Sequence, residues 1–300
     1  MARRRSAHQD PGPPRVALVT DSTASLPNSW LAERDVTVVP LQVVIGASSY
    51  DEGGPDGVTA EALAEALKAW TPVSTSRPNP EAFLAVYQSL AGEYDEIVSI
   101  HISGELSGTY ESAQVAGTQA SIPVHVVDSR QVGIGTGFCV MAADAARVAG
   151  LDGQAIADAA RSQGASTTTL LYVDTLEYLR RGGRVGATAA LLGSALAVKP
   201  ILAIEDGRIV PRERVRTAAK ALARLQELAV AAGTDRPVRA AVAHLANEEK
   251  AKQLAAGLGL GLGESLVGEI VVGEIGAVLG AHVGPGMVAV CIAPIECAPA

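Results

Sequence analysis

Aromatic residues are scarce in this 300-residue chain, at 3% of the total with two Phe and two Trp. Hydrophobic residues nevertheless reach 48%, so the core has to be aliphatic, built from Ala, Val, Leu and Ile. Cysteine is nearly lacking as well. Cys139, Cys291 and Cys297 make an odd number without regular spacing, which argues against a metal site and for a reducing compartment. Positive charge is in deficit: the net charge of −8 argues against nucleic acid as the main partner, because a phosphate backbone demands a basic surface. No uninterrupted apolar run is long enough to span a bilayer. Residues 187–204 are broken by Lys199-Pro200, and residues 266–290 carry Glu269, Glu274 and His282. The nucleotide and hydrolase signatures are missing too. The first strand carries no G-x-G-x-x-G, no Gly-Lys-Ser/Thr loop is present, and there is no G-x-S-x-G elbow.

These absences leave a cytoplasmic protein without metal, cofactor or integral membrane segment as the expectation. The basic run Arg3-Arg4-Arg5 has no apolar stretch behind it and is followed by Pro11-Gly12-Pro13-Pro14. Residues 1–14 therefore read as a disordered tail, not a signal peptide.

What is present is an alternation of strands and helices. Residues 16–20 form an apolar β-branched run ending in Asp21-Ser22-Thr23, a turn suited to a helix start. Residues 36–44 read as one buried strand. Thr59 caps a helix to about residue 70, and Asn79-Pro80-Glu81 opens another, with Asn at the cap and Pro in the first turn. Strands over 96–102 and 124–127 alternate with helices over 109–116, 133–149 and 153–163. That order predicts a largely parallel sheet covered on both faces. The second half is mixed. A strand over 168–173 precedes a short helix capped by Asp174, and Glu205-Asp206-Gly207 between apolar runs signals a hairpin. Helices over 216–232 and 247–256 and strands near 238–243, 267–272 and 287–292 follow. The chain is thus expected to be α/β with two subdomains, 15–165 and 166–295.

Three short segments carry candidate chemistry. Ser74-Thr75-Ser76-Arg77-Pro78-Asn79-Pro80 has the composition of a loop, and its hydroxyls either cap the turn or point into a cleft. Ser107-Gly108-Thr109 follows a strand and opens a helix, where free backbone N–H groups and the helix dipole favour an anion. His282 stands in Gly280-Ala281-His282-Val283-Gly284-Pro285-Gly286, a glycine-rich setting that reads as an accessible ligand loop. His8, His101, His125 and His244 have no such setting and read as incidental. A hydrolytic grouping of Ser107 and His282 with Asp21 or Asp128 requires contacts that sequence does not reveal. Between residues 180 and 220 there are nine basic residues against three acidic ones, a local excess that suggests docking or a phosphate site.

Taken in order, the segments Val19-Thr20-Asp21-Ser22-Thr23, Thr75-Ser76-Arg77-Pro78, Ser103-Gly104-Glu105-Leu106-Ser107-Gly108-Thr109-Tyr110, Tyr178-Leu179-Arg180-Arg181-Gly182-Gly183-Arg184-Val185, Lys199-Pro200-Ile201-Leu202 and His282-Val283-Gly284-Pro285-Gly286 resemble those of the DegV family of fatty-acid-binding proteins, the carrier subunits of bacterial fatty acid kinase. The resemblance runs over about residues 16–294. It departs at Arg77, where the family often has Gln, and around the glycine-rich 51–58. It implies a two-domain α/β protein with an acyl chain buried between its halves. It implies that Thr75, Ser107 and His282 hold the carboxylate, with Ser76, Gly108 and Thr109 as lesser candidates. Arg184 and Arg216 would serve a partner kinase or the phosphorylated head group. Catalysis would belong to that kinase, with an acyl phosphate for phospholipid synthesis as its product. The alternatives are a stand-alone lipid hydrolase or phosphotransferase, or a binder of another apolar anion.

Overall fold

The computed structural model describes residues 13–53, 56–191 and 199–295. The tail expected over 1–14 lies outside them but for Pro13 and Pro14. The first half of the chain runs β1 (Val16–Asp21), α1 (Asn28–Ala32), β2 (Val36–Val39), β3 (Gln42–Ile45), β4 (Ser48–Asp51), α2 (Ala60–Lys68), β5 (Val73–Ser76), α3 (Pro80–Leu90), β6 (Glu96–His101), α4 (Thr109–Gly117), β7 (Val124–Asp128), α5 (Ile134–Val148) and α6 (Gly153–Ser166). The second runs β8 (Thr168–Tyr172), α7 (Glu177–Arg181), β9 (Lys199–Glu205), β10 (Arg208–Val215), α8 (Ala218–Gly233), β11 (Val238–His244), α9 (Glu248–Leu262), β12 (Val271–Glu274), α10 (Ala277–Val283) and β13 (Val288–Pro294). No helix among the described residues is long and apolar enough to cross a membrane.

Every residue of β1 is buried, as a central strand covered on both faces requires. Its side chains alternate between two hydrophobic clusters. Val16 and Leu18 meet Cys139, Val140, Ala143, Ile156 and Ala160 of α5 and α6, while Ala17 and Val19 meet Phe83, Tyr87, Ala113 and Ala116 of α3 and α4. The sheet is parallel throughout, in the order β2-β1-β6-β7. Helix starts follow the sequence closely. Thr59 Oγ1 accepts from Ala62 N at 3.2 Å, and Asn79 Oδ1 accepts from Ala82 N at 2.9 Å with Pro80 in the first turn.

The second sheet is mixed, in the order β10-β9-β8-β13-β11-β12, with only β11 and β12 parallel. The expected Asp206-Gly207 hairpin joins β9 to β10. One face packs on α8 and α9 through residues such as Leu170, Ile201, Leu225 and Leu258. The other packs on residues from the first half: Leu171, Leu202 and Ile204 share a cluster with Leu41, Val43, Leu63 and Leu67. The expected junction at 165 falls in the last turn of α6, just before β8, yet residues 41–67 lie against the second half. Helix α5 stands between the two large sheets and meets the mixed one through Ile134 and Phe138. Its Gly137 is required there, since a Cβ would lie 2.7 Å from the carbonyl oxygen of Ala24.

Four local expectations are corrected. The single strand over 36–44 is two strands, β2 of the parallel sheet and β3 of a small antiparallel sheet in the order β4-β3-β5. Pro40, without an N–H to donate, stands at the break, and Leu41 N bonds Ser22 Oγ at 3.0 Å. Ser74-Thr75-Ser76 is not loop but part of β5, paired with β3. Asp174 does not cap α7: its carboxylate takes the Tyr172 hydroxyl and Lys199 Nζ, and Thr175 Oγ1 accepts from Glu177 N at 3.2 Å. The strand near 267–272 starts later, at Val271, after the positive-φ Gly268.

Candidate functional site

The central strands β1 and β6 lead in opposite directions, to β2 on one side and β7 on the other. Loops leaving their C-terminal ends diverge and open a crevice, the usual ligand position in an open parallel sheet. Thr23, past β1, and Ile102 and Leu106, past β6, line a cavity of about 320 Å³. The mixed sheet closes it with Leu171, Ile204 and Ile209, and helices α7 and α10 add Leu179, Val278, Leu279 and Val283. The apolar part of the wall is thus aliphatic, without an aromatic side chain, as the composition required.

The two halves are fastened around this space by polar contacts. Ser103 Oγ donates to Gly207 O at 2.7 Å, and Arg208 Nε donates to Glu105 at 2.9 Å. Gly207 has φ +79, and a Cβ on it would stand 2.5 Å from Ser103 Oγ. The hairpin turn is therefore seated on the loop after β6.

The polar lining consists of Thr23, Thr75, Ser76, Arg77, Ser107, Gly108, Arg184 and His282. Thr75, Ser107 and His282 are brought together, with Thr75 Oγ1 2.9 Å from His282 Nε2. Ser76 and Gly108 also line the cavity. Thr109 does not: it is fully buried and its Oγ1 pairs with Ser107 Oγ at 2.9 Å, so it orients Ser107 from behind. Arg77 lies over Gly108, its guanidinium occupying the place of a Cβ, and reaches Glu111 at 3.8 Å. Arg184 is half-buried in the wall. Its Nε donates to Leu106 O at 3.0 Å and its Nη1 to Gly182 O at 2.6 Å, and it has no carboxylate partner among the described residues.

His282 is not in an open loop as the glycines suggested. It occupies the last turn of α10, where the ring is largely buried. Burial, and secondarily the charge of Arg184, lowers its pKa to about 4, so the ring is neutral at pH 7. Its Nδ1 is buried with no hydrogen-bond partner. The glycines have a packing role instead. A Cβ on Gly182 would lie 2.2 Å from His282 Nδ1, and one on Gly284 would lie 2.0 Å from the Tyr178 ring. The Tyr178-to-Arg184 and His282-to-Gly286 segments interlock, each offering a bare backbone to the other's ring.

A hydrolytic relay is not assembled among the described residues. His282 bonds Thr75, Asp21 bonds His101, and Asp128 bonds the backbone N–H of Gly104 and Arg130. No group of three or more His, Cys, Asp or Glu suited to a metal ion occurs among them either. Arg216 is exposed and lies past the far end of β10, roughly 20 Å along the strand from the cavity residue Ile209. The basic excess over 180–220 is largely dispersed. Arg180 and Arg181 pair with Glu177, Lys199 with Asp174, Arg208 with Glu105 and Arg212 with Glu205. Sequence reasoning missed Thr23 and Arg77 as lining residues. The signal for Thr23 was its place just past a buried central strand.

Comparison with known proteins agrees with this architecture. A family model described as "uncharacterised protein, DegV family" matches residues 15–295. A DegV domain-containing protein of Streptomyces coelicolor is 47% identical over 283 residues, covering 92% of this chain and 98% of that one. A DegV family protein from Thermus thermophilus, described for its fatty acid binding, superposes with a TM-score of 0.87 at 31% identity, covering 94% of this chain and all of that one. DegV from Bacillus subtilis, described as a fatty acid binding protein, gives a TM-score of 0.85 at 32% identity, with the same coverage.

Proposed function

The chain belongs to the DegV family, and we propose that it binds a long-chain fatty acid in the aliphatic cavity and presents the carboxylate to a separate ATP-dependent kinase. The observation that carries this reading is the convergence of Thr75, Ser107, His282 and Arg184 on one cavity whose apolar wall is aliphatic. The tail supplies the affinity: about fifteen methylenes at ~0.8 kcal/mol each amount to roughly 12 kcal/mol of transfer free energy before ordering costs. The polar groups spare the carboxylate an unpaired burial and fix its orientation. The partially buried Arg184 guanidinium supplies the positive charge that a neutral His282 lacks. In this reading the protein is a carrier and not itself a catalyst. The kinase would form the acyl phosphate, which this chain then passes to phospholipid synthesis. Native mass spectrometry of gently purified protein tests the core of the reading. Added acyl mass is the expected result; protein that is empty and takes up no fatty acid would overturn it.

A further inference from the structure

Beside the aliphatic cavity, past the C-terminal end of β1, lies an outer groove of about 730 Å³. The wall between the two is thin. Thr23, Leu41 and Val278 line the cavity, whereas their chain neighbours Ser22, Ala24, Pro40 and Ala277 line the groove. Glu52, directly after β4, lines the groove as well and is tied to this wall twice. Its backbone N–H donates to Leu41 O at 2.8 Å, and its Oε1 accepts from Val278 N at 2.8 Å, across 226 positions of chain.

Helix α10 has little means of holding itself in place. It is seven residues long, far shorter than helices that persist alone, and its own N-cap, Gly276, has no side chain to offer the free N–H groups of the first turn. Val278 N stands at the second helical position, which a Ser, Thr, Asp or Asn at the cap ordinarily satisfies. Glu52 satisfies it instead. A Cβ on Gly276 would stand 2.1 Å from Glu52 Oε1, so the carboxyl group occupies the place of the local cap. The other oxygen, Oε2, is buried and has no hydrogen-bond partner. A buried, unsatisfied oxygen costs free energy. What the side chain contributes is therefore the bond to Val278 and the placement that follows from it.

We propose that Glu52 is a positioning residue of the binding site, capping α10 from across the chain and thereby setting where Val278 and His282 stand in the cavity wall. Val278 and His282 are four residues apart and share one face of the helix, so a shift at the capped end moves the imidazole against Thr75. The consequence for a bound carboxylate rests on the fatty-acid reading above. The placement of the ring does not.

Two measurements on the full chain test this: calorimetric titration with myristate, and long-range proton–nitrogen correlation NMR of the His282 ring, assigned by its absence in His282→Gln. In Glu52→Ala the Nε2 resonance should move away from its position in the parent. Myristate affinity should fall by about five-fold or more, as the loss of a helix cap lowers the fraction of molecules with α10 in place. Glu52→Gln keeps an oxygen acceptor and should recover most of both. The sharper test is Glu52→Ala combined with Gly276→Ser. The atoms nearest a Cβ on Gly276 all belong to Glu52, and Gly276 already has extended backbone, so the serine has room to cap Val278 locally. Gly276→Ser alone should harm the site by displacing Glu52, while the double variant should return ring signal and affinity to within about two-fold of the parent. Should Glu52→Ala fail to fold, recovery of folding, ring signal and affinity in the double variant supports the proposal, and no recovery overturns it. A parent that takes up no myristate, with the ring signal still moved by Glu52→Ala and restored in the double variant, would remove the fatty-acid reading and keep the role of Glu52. A folded Glu52→Ala whose urea midpoint falls while ring signal and myristate affinity match the parent would overturn the proposal and leave Glu52 a structural cap only.

Discussion

In the parallel sheet, the imidazole of His101 has a partner on each nitrogen; in the cavity wall, that of His282 has a partner on one. The first region is a closed chain. Tyr87 donates to Ser99 Oγ at 2.8 Å, and Ser99 Oγ lies 2.7 Å from His101 Nε2. His101 Nδ1 then donates to Asp21 Oδ2 at 2.9 Å. Burial raises the Tyr87 hydroxyl above its usual range, so it keeps the proton it donates. Asp21 also takes the backbone N–H of Thr23 and of Ile102, so it ties the ends of β1 and β6 together. The second region is left open on purpose-built geometry: Thr75 satisfies Nε2, Gly182 makes room for Nδ1, and nothing bonds it. A polar group that is buried and satisfied holds a fold, whereas one that is buried and unsatisfied is a cost that a ligand can relieve.

The largest effect should come from breaking the closed chain. Asp21→Ala leaves His101 and two backbone N–H groups without their acceptor. About 3–5 kcal/mol of unfolding free energy should be lost, as for other broken buried pairs. His282→Ala removes a ring whose Nδ1 was already unpaired, so its stability loss should be about 1 kcal/mol, within the range where cavity and desolvation terms offset. Its myristate affinity should fall at least ten-fold. Urea unfolding and calorimetric titration of both variants measure the contrast; similar stability losses would erase the distinction between the two regions.

Acid sharpens the same contrast. The pKa of His282, about 4 in the folded protein against an ordinary 6.5, is depressed, so the unfolded chain binds the proton first. The resulting stability is complete above about pH 6.5 and is lost as the pH falls toward 4, by roughly 3 kcal/mol. A carboxylate bound beside the ring favours its protonation and should make the loss smaller in loaded protein. Subtracting the unfolding free energy of His282→Gln from that of the parent at pH 7 and pH 4.5 isolates the ring from other titrating groups. A difference that does not change with pH would mean that the ring is as well hydrated folded as unfolded.

Next in size are the hydroxyls. Thr75→Ala and Ser107→Ala should each weaken fatty-acid binding by about 1–3 kcal/mol, the cost of leaving a charged acceptor short of a donor. Ser107→Ala should leave the urea midpoint close to the parent's, whereas Thr75→Ala also removes the partner of His282 Nε2 and should lower it modestly. Unaltered fatty-acid affinity in both would leave Thr75 only as the partner of His282 and Ser107 only as an acceptor at the start of α4.

Much of this was legible along the chain, and what was not shares one cause. Strand alternation, the Asn79 cap and the Asp206-Gly207 hairpin are encoded within a few residues, and the short hydroxyl and histidine segments marked Thr75, Ser107 and His282. Their environments are set by distant partners. Thr75 and His282 are 207 positions apart, and nothing local says that Thr75 is in a strand or that His282 ends a helix. Pro40 redirects the chain between sheets that sequence gave no reason to separate. His101 looked incidental because Asp21 and His101 are 80 positions apart, so the buried pairing is invisible until β1 and β6 lie side by side. The basic run over 180–220 looked like one patch because three of its neutralising carboxylates, Asp174, Glu177 and Glu105, come from outside it.

Arg184 and Arg216 show the same limit, and Arg216 gives the smallest expected effect. Along the sequence they are equivalent, two arginines of one basic run. In space Arg184 is in the cavity wall and bonded to Leu106 O, while Arg216 is exposed beyond the far end of β10. Arg184→Ala should therefore weaken fatty-acid binding by about 1.5–3 kcal/mol, the range for hydrogen bonds that involve a charged group. Arg216→Ala should change it by less than about 0.5 kcal/mol, as for an exposed substitution away from the site. If Arg216 serves the kinase, phosphorylation by an added partner kinase falls in Arg216→Ala while fatty-acid affinity holds, and raised salt reproduces part of that fall in the parent. Loss of fatty-acid affinity in Arg216→Ala would place that residue in the binding machinery despite its distance. Unchanged phosphorylation would make it an ordinary solvated charge, and the functional basic group of the run would reduce to Arg184.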